Sequence, residues 1–525
     1  MKRSKISLIV LIFLLISVFY PLMQMLAKVD WSNFSDLISS NAFKEAFSNS
    51  LLVTSISTII SVIIAYLLAY SLNRTNIKHK AVLRLLLVVP MLIPSISHGL
   101  GLINLFGTNG IISKAFGFTI LGKVGIIMGS VLYSFPVAFL MLDDGFHYVD
   151  NNMYNVAKVL GLNKWQTFKK VTMCYLKKPI LSSVFAVFTM IFTDYGVPLA
   201  VGGKYLTLPV FLYKEVIGLL DFSKGTMIGL FLLIPAIISF LFDNFTVDYS
   251  SGDFEGNNYS IKENKVRDFI YAIFVYAVII SVSIVIGSFI YYAFIDNIVI
   301  DKSFSLKHIE YVLNNNIIRY AVNSLVIAVL TSIIGTFITY LTAYATARIK
   351  DKLSKIIHIL TISSLAIPGI VLGLSYTIGF KETFIYNTYI ILILVNIIHF
   401  MASPYLMAYN ALQKINPNYE VVAKSCNISL FRIIRDVIIP CSKVTIREMI
   451  AYFFINAMIT ISAVTFLFNT DTMPMSLLIN TYEGNMMLGE AAIVSLVILL
   501  FNFVVKASIY VINRKENRKT YDEVI

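Results

Sequence analysis

The chain has 525 residues, of which 58% are hydrophobic and 14% charged, with a formal net charge of +13 and a mean hydropathy of +0.79. That composition excludes an ordinary soluble protein, a disordered chain, a collagen-like repeat and a disulfide-rich secreted scaffold, each of which needs polar, Gly/Pro-rich or Cys-rich sequence. A polytopic membrane protein remains, and its three cysteines, Cys174, Cys426 and Cys441, are too few for a disulfide framework.

A helix rising 1.5 Å per residue needs about 20 apolar residues to cross about 30 Å of hydrocarbon. Twelve stretches qualify in chain order: 6–27, 46–73, 85–106, 124–142, 179–203, 225–242, 269–295, 320–347, 356–380, 388–412, 449–470 and 491–512. The first follows the basic Met1-Lys-Arg-Ser-Lys5, as in a signal peptide. Its apolar run is too long for one and Met25-Leu-Ala27 is a poor cleavage site, so a retained helix is expected. The fifth stretch contains Asp194. The twelfth contains Lys506 near its end, where a long side chain reaches the interface. The expected fold is therefore all-α, with twelve transmembrane helices.

Basic residues concentrate in loops that stay in the cytoplasm. With the N-terminus inside, the segments 1–5, 74–84, 143–178, 243–268, 348–355, 413–448 and 513–525 hold 30 of the 42 Lys and Arg, against 11 in the opposite loops. Both termini are then expected in the cytoplasm. The positive charge follows from topology, and no basic patch is left over for nucleic acid.

The chain repeats itself. Asn49-Ser50-Leu51 and Ala69-Tyr70…Arg74 recur as Asn323-Ser324-Leu325 and Ala343-Tyr344…Arg348, offset by 274, and Pro94 maps to Pro368 at the same offset. Further on, the offset falls to 268 (Pro136 to Pro404) and 266 (Ala157 to Ala423), as small loop deletions would produce. Two six-helix halves follow, 1–242 and 269–525, joined by a polar cytoplasmic linker at 243–268. An even number of spans per half makes the repeats parallel, and parallel repeats around an axis along the membrane normal enclose a central path.

Between the fourth and fifth spans of each half lies a cytoplasmic loop of about 35 residues, longer than connections usually are. The first reads Tyr154-Asn-Val-Ala157-Lys-Val-Leu-Gly161, then Phe168-Lys-Lys-Val171. The second reads Tyr419-Glu-Val-Val-Ala423-Lys-Ser-Cys-Asn427, then Ile434-Arg-Asp-Val437-Ile-Ile-Pro440. Each predicts a short helix stopped at Gly161 or Asn427, the residue types that most readily take the left-handed cap conformation. A second, amphipathic helix is expected to follow, with Phe168 and Val171, or Ile434 and Val437, toward protein and the basic residues toward water.

These loops resemble the EAA signature of permease subunits of binding-protein-dependent ABC importers: Glu-Ala-Ala, three residues, Gly, and a hydrophobic run ending near Leu-Pro. Ala157, Gly161, Phe168 and Val171 match in the first loop; Ala423, Ile434, Val437, Ile439 and Pro440 match in the second. Asn155 and Val421 stand in place of the Glu, Val156 and Val422 in place of the first Ala, Asn427 in place of the Gly, and Met173-Cys174 in place of the Leu-Pro. The resemblance extends over nearly the whole chain and is greatest to the fused permeases for ferric iron, thiamine or aminoethylphosphonate. Phe192-Thr-Asp194-Tyr-Gly196-Val-Pro198 and Ser462-Ala-Val-Thr-Phe-Leu467 with Pro474 look like that group's paired segments. It implies a type I permease fold in a bacterial inner membrane, a separate ATPase dimer docking on both loops, an extracytoplasmic solute-binding protein, and a small-molecule or ion solute. It implies no cofactor and no chemistry on this chain. In keeping with that, the phosphate-binding pattern G-x-x-x-x-G-K-[ST] is absent, since Gly202-Gly203-Lys204 lacks both its preceding Gly and its following Ser/Thr.

Asp194 is the one acid well inside a predicted span, which points either to a translocation path or gate or to a carboxylate satisfied near the end of its helix. Pro90, Pro94 and Pro368 bend helices, whether around a central cavity or as packing kinks. His98, His358 and His399 have no metal-site spacing and read as packing residues, and Lys169, Lys170, Arg432 and Arg435 read as orientation determinants. The competing class is an ion-coupled secondary transporter. It calls for intramembrane carboxylates, and Asp194 has no partner in the other repeat.

Overall fold

The computed structural model describes residues 3–147, 149, 151–245, 261, 263–297 and 301–522. The middle of the predicted linker, 246–260 with 262, lies outside the described residues. Hydrocarbon offers backbone groups no hydrogen bonds, so the described chain is almost wholly helical, with one short ribbon pairing Ile295–Asn297 to Asp301–Phe304.

Seven predicted spans are single long helices: Lys5–Ala27, Asn41–Arg74, Lys123–His147, Lys164–Phe192, Lys265–Ala293, Ile317–Ile349 and Leu488–Asn513. Three others are bent pairs: Lys80–Leu92 with Ser95–Lys114 at 96°, Ser354–Ala366 with Gly369–Phe380 at 112°, and Tyr389–Phe400 with Ala402–Lys414 at 57°. The remaining two correspond to the helices Phe222–Phe245 and Lys443–Ile459. Pro94 and Pro368 cause the two sharpest bends. Each is extended, at ψ 153° and 141°, immediately before a new helix, and the preceding Ile93 and Ile367 are extended too. Proline lacks the amide that would continue the ladder and pushes its predecessor out of helical conformation.

Two sequence expectations are corrected. The stretch 179–203 is not one span: its helix ends at Phe192, and a separate short helix, Gly196–Val201, begins after a break at Thr193–Tyr195. The eleventh span likewise ends at Ile459 instead of reaching 470.

Packing within each half relies on small side chains. The buried residues of Asn41–Arg74 include the small side chains of Ala46, Ser50, Thr54, Ser57, Ser61, Ala65 and Ala69. The helix packs against Lys123–His147, with Ser61 and Ser134 hydroxyls 2.9 Å apart. Small residues let backbones approach closely where lipid provides no hydrophobic drive for association. The second half repeats this composition with Ser324, Ala328, Thr331, Gly335, Thr339 and Ala343.

The halves exchange their first helices. Lys5–Ala27 packs on Gly369–Phe380 of the second half, and Lys265–Ala293 packs on Ser95–Phe106 of the first. Matching hydrogen bonds hold the exchange: Tyr20 Oη donates to the Gly379 carbonyl at 3.2 Å, and Tyr292 Oη to the Asn104 carbonyl at 3.1 Å. Tyr376 adds a buried bond to the Ser17 carbonyl at 2.6 Å. The largest apolar cluster accordingly draws on both halves.

On the face opposite the long loops, the ribbon and the Lys307–Asn314 helix are tied down by His308. Its Nδ1 lies 2.9 Å from Glu490 Oε1 and its Nε2 lies 3.0 Å from the Ile295 carbonyl. Both partners can accept, so the protonated ring satisfies both at once; its bond to Glu490, set against partial burial, raises its pKa. Lys307, itself paired with Asp296, opposes this, and Tyr482 is a further titratable group near Glu490. The tie therefore contributes fully below the unfolded value of about 6.5 and is lost as pH rises through the raised folded value. Amide exchange in 295–314 should accelerate between pH 6 and pH 9 more than base catalysis accounts for. His308→Ala should make that exchange fast at both pH values.

Candidate functional site

The two long loops build the same motif. In the first, the Asn151–Val159 helix ends with Gly161 at φ +69°, and Leu162 N–H donates back to the Ala157 carbonyl at 3.0 Å. In the second, Asn418–Ser425 ends with Asn427 at φ +55°, and Ile428 N–H donates to the Ala423 carbonyl at 2.8 Å. A left-handed residue after the helix and a bond spanning five residues define a Schellman cap. This is why the pattern places a small buried alanine four residues before a Gly or Asn: Ala157 is 2% exposed and Ala423 is 6%. Gly161 would meet nothing within 4 Å if it carried a side chain, so backbone angle alone selects glycine there.

The expected second helix is corrected. Lys164–Thr167, capped by Asn163 and Gln166 in a reciprocal box, runs through Phe168–Thr172 directly into the fifth span, so it is not a separate surface helix. Its counterpart, from Leu430 to Cys441, is interrupted at Ser442 before Lys443–Ile459. Val171 is buried, Phe168, Ile434 and Val437 are half-buried, and Pro440, Gly161 and Asn427 are exposed. Between them the loops present Val156, Val159, Leu160 and Trp165, and Val421, Val422, Ile428 and Phe431, as exposed apolar side chains. Arg435 donates to Asp436 at 2.7 Å at this surface and holds that carboxyl below its usual range.

Val421 stands where the signature has its Glu, yet a carboxylate is present a residue earlier. Glu420 is buried and accepts two bonds from Arg348 at the end of the eighth span, one of them at 2.7 Å. The one-residue shift hid it, and only the repeat alignment of Arg348 with Arg74 hinted at a role for either arginine.

The paired segments around 194 and 462 meet at a seam between the halves. Lys164–Phe192 extends about 40 Å at helical rise, which puts Tyr195 toward the face opposite the two long loops. There Tyr195 Oη and Thr465 Oγ1 are 3.0 Å apart, both side chains are buried, and Tyr195 stacks on Tyr213 with ring centroids 5.2 Å apart. Tyr213 in turn meets Phe466 and accepts from Asn480 Nδ2 at 3.4 Å. Ser97 with Ser495 at 2.9 Å and Asn502 Nδ2 to the Leu92 carbonyl at 2.8 Å extend the seam.

Asp194 lies at the helix break and caps the new helix, accepting from Gly196 N–H at 3.2 Å and Val197 N–H at 3.0 Å, with the Ser95 hydroxyl as a third partner. Pro94 starts the helix that carries Ser95, so two helix N-termini converge on one carboxylate. A side chain at Gly196 would overlap the Ser95 hydroxyl, and one at Gly369 would overlap the Ser462 hydroxyl and the His399 ring. Ser95 and Gly369 are repeat-equivalent, as are Gly196 and Ser462, so each half keeps one glycine and one serine at this contact and exchanges which segment supplies which. His98 packs on Tyr133, His399 on Phe400, and His358 bonds Tyr405, so each stands on aromatic neighbours of its own. Among the described residues no three His, Cys, Asp or Glu side chains form a metal-binding group.

Replacing Asp194 with Leu removes two backbone caps and should cost about 1–2 kcal/mol, read as a lower thermal midpoint in detergent, whereas Asp194→Asn keeps one acceptor and should lose less. Gly161→Val should destabilise its loop by about 1–2 kcal/mol, and Asn427→Gly should be neutral, as measured by amide exchange in each loop.

Residues 57–300 and 335–518 match the family described as binding-protein-dependent transport system inner membrane component. A putative ferric transport system permease protein of Haemophilus influenzae is 24% identical over 405 residues, covering 73% of this chain and 64% of its own length. A ferric transport system permease protein of Actinobacillus pleuropneumoniae is 23% identical over 425 residues, covering 77% of this chain and 62% of its own length. The chain thus spans a little under two thirds of either relative. A molybdate/tungstate transport system permease protein of Methanocaldococcus jannaschii is 25% identical over 243 residues, which is 96% of that protein and 46% of this chain.

Proposed function

The chain belongs to the family of binding-protein-dependent transport system inner membrane components, and on that premise we propose that it forms the whole translocation path of an ATP-driven importer. The carrying observation is the pair of Schellman-capped loops at repeat-equivalent places, each presenting apolar side chains. Ala157, Gly161, Phe168, Val171, Ala423, Asn427, Ile434, Val437 and Pro440 shape two docking sites for a separate ATPase dimer. The loops and both termini face the cytoplasm, and an extracytoplasmic solute-binding protein delivers solute at the opposite face. The halves 1–242 and 269–525, joined through 243–268, act as the two arms, each carrying the first helix of the other.

With the Tyr195–Thr465 seam closed, the path is shut toward the delivery side. ATP binding draws the docking sites together and favours the state in which the seam parts, because the nucleotide binds that state more tightly. Pro94 and Pro368 fix the bends from which the seam helices start, and Asp194 serves the gate as a cap. Its engagement with backbone amides speaks against a proton-carrying role. The names of the relatives with the longest matches favour a ferric cargo.

Co-purification with the ATPase subunit tests this reading. Wild type should retain the ATPase and hydrolysis should rise with the loaded binding protein, while a Gly161→Asp, Asn427→Asp double variant should lose at least tenfold in retained ATPase. Transport that persists without ATPase and follows a proton gradient would overturn it.

A further inference from the structure

Each of the two sharpest bends leans on the last span of the other half: Val89–Leu92 lies against Leu488–Asp522, and Ser364–Ala366 lies against Phe222–Phe245. At the first bend the contact is filled. The Leu92 carbonyl accepts from Asn502 Nδ2, and the Leu92 side chain is buried in one apolar cluster with Leu325, Ala451, Phe454 and Ile455. Leu92 thereby plugs the groove between the eighth, eleventh and twelfth spans. Filling it keeps the dispersion contacts that a wall facing empty space would lose.

The matching groove of the first half, between Asn41–Arg74, Met173–Phe192 and Phe222–Phe245, holds a cleft of about 300 Å³. Ala366 stands at the place of Leu92, at the same offset of 274 that relates Pro94 to Pro368, and its side chain ends at Cβ. Every lining residue of the cleft is apolar. On its inner wall the Phe192 ring centroid lies 6.5 Å from that of Phe47 and 5.9 Å from that of Phe188, and Phe231 meets Phe47 at 6.1 Å. Leu51, Ile234 and Ile238 also line it and are exposed on spanning helices, so its mouth opens sideways into hydrocarbon. Water entering such a space finds no polar partner, and an acyl chain finds contacts on three sides.

We propose that this cleft is a binding site for one acyl chain of a membrane phospholipid, which fills in the first half the space that Leu92 fills in the second. Phe192 ends its helix immediately before the break capped by Asp194, so the bound chain bears on the segment that leads into the seam. The lining offers a headgroup no polar contact, and phosphatidylglycerol and phosphatidylcholine with the same chains should bind alike. Enclosure by three helices distinguishes this chain from lipid lying on the outer surface, so it should outlast extraction.

The test needs neither ATPase nor solute and therefore stands apart from the importer reading. Full-length protein, washed exhaustively in detergent micelles, is weighed intact by native mass spectrometry. Wild type should retain one phospholipid per chain. Val184→Phe, which puts a ring into the cleft from its lining, should lower that occupancy at least fivefold, and Ala366→Leu at least twofold. Leu92→Ala, which empties the second groove, should raise the retained phospholipid to two per chain. Phosphatidylcholine added back to stripped protein should raise the thermal midpoint of wild type and leave that of Val184→Phe unchanged, because a ligand stabilises only the fold that binds it. If Val184→Phe does not fold, Leu51→Phe carries the same expectations. No phospholipid on wild type, equal retention by wild type and the filled variant, or a retained molecule of other chemistry overturns the proposal.

Discussion

Every interruption of a spanning helix frees backbone groups that hydrocarbon cannot satisfy, so interruptions are confined to places where protein surrounds them. Among the described residues the sharp ones fall at Pro94, Pro368, Thr193–Tyr195, Met401 and after Ile459, and the segments around Pro94, Tyr195 and Thr465 meet at the seam between the halves. Asp194, itself bonded by Ser95, then satisfies the amides of Gly196 and Val197 that the break at Thr193–Tyr195 exposes. A seam of short, capped segments has few long ladders to unmake, so it is the part of the bundle best suited to part and re-form.

The rest of the architecture follows from keeping that seam between two similar arms. Small residues along Asn41–Arg74 and Ile317–Tyr344 make each arm rigid by close backbone packing. Exchange of the first helices, fastened by Tyr20 and Tyr292, ties the two arms to one another. The relative from Methanocaldococcus jannaschii, nearly all of which is matched by under half of this chain, is consistent with one half being a complete permease unit.

Much of this was legible in the sequence where a local rule applied. Hydropathy gave the spans, the repeat offsets gave two halves, and the Gly161 and Asn427 positions gave the helix stops, because composition and cap chemistry act over a few residues. The interruption inside 179–203 was not legible, since Thr193-Asp194-Tyr195 disturbs hydropathy little and the carboxylate that caps the break is bonded by Ser95, which comes from another helix. Glu420 was missed because its partner, Arg348, is 72 residues away and the motif frame placed the acid one position later. The exchange of first helices has no signature within either helix; it is set by which surface each meets across the seam.

The account turns on the seam being closed in this state and opening when the docking loops are driven together. The most direct measurement is cross-linking of Tyr195→Cys to Thr465→Cys with a short bifunctional thiol reagent, in a chain whose three native cysteines are serine. The account predicts efficient cross-linking in the resting transporter, loss of cross-linking when the ATPase is trapped with nucleotide, and arrest of transport once the link has formed. Equal cross-linking in both states with transport undiminished would contradict it.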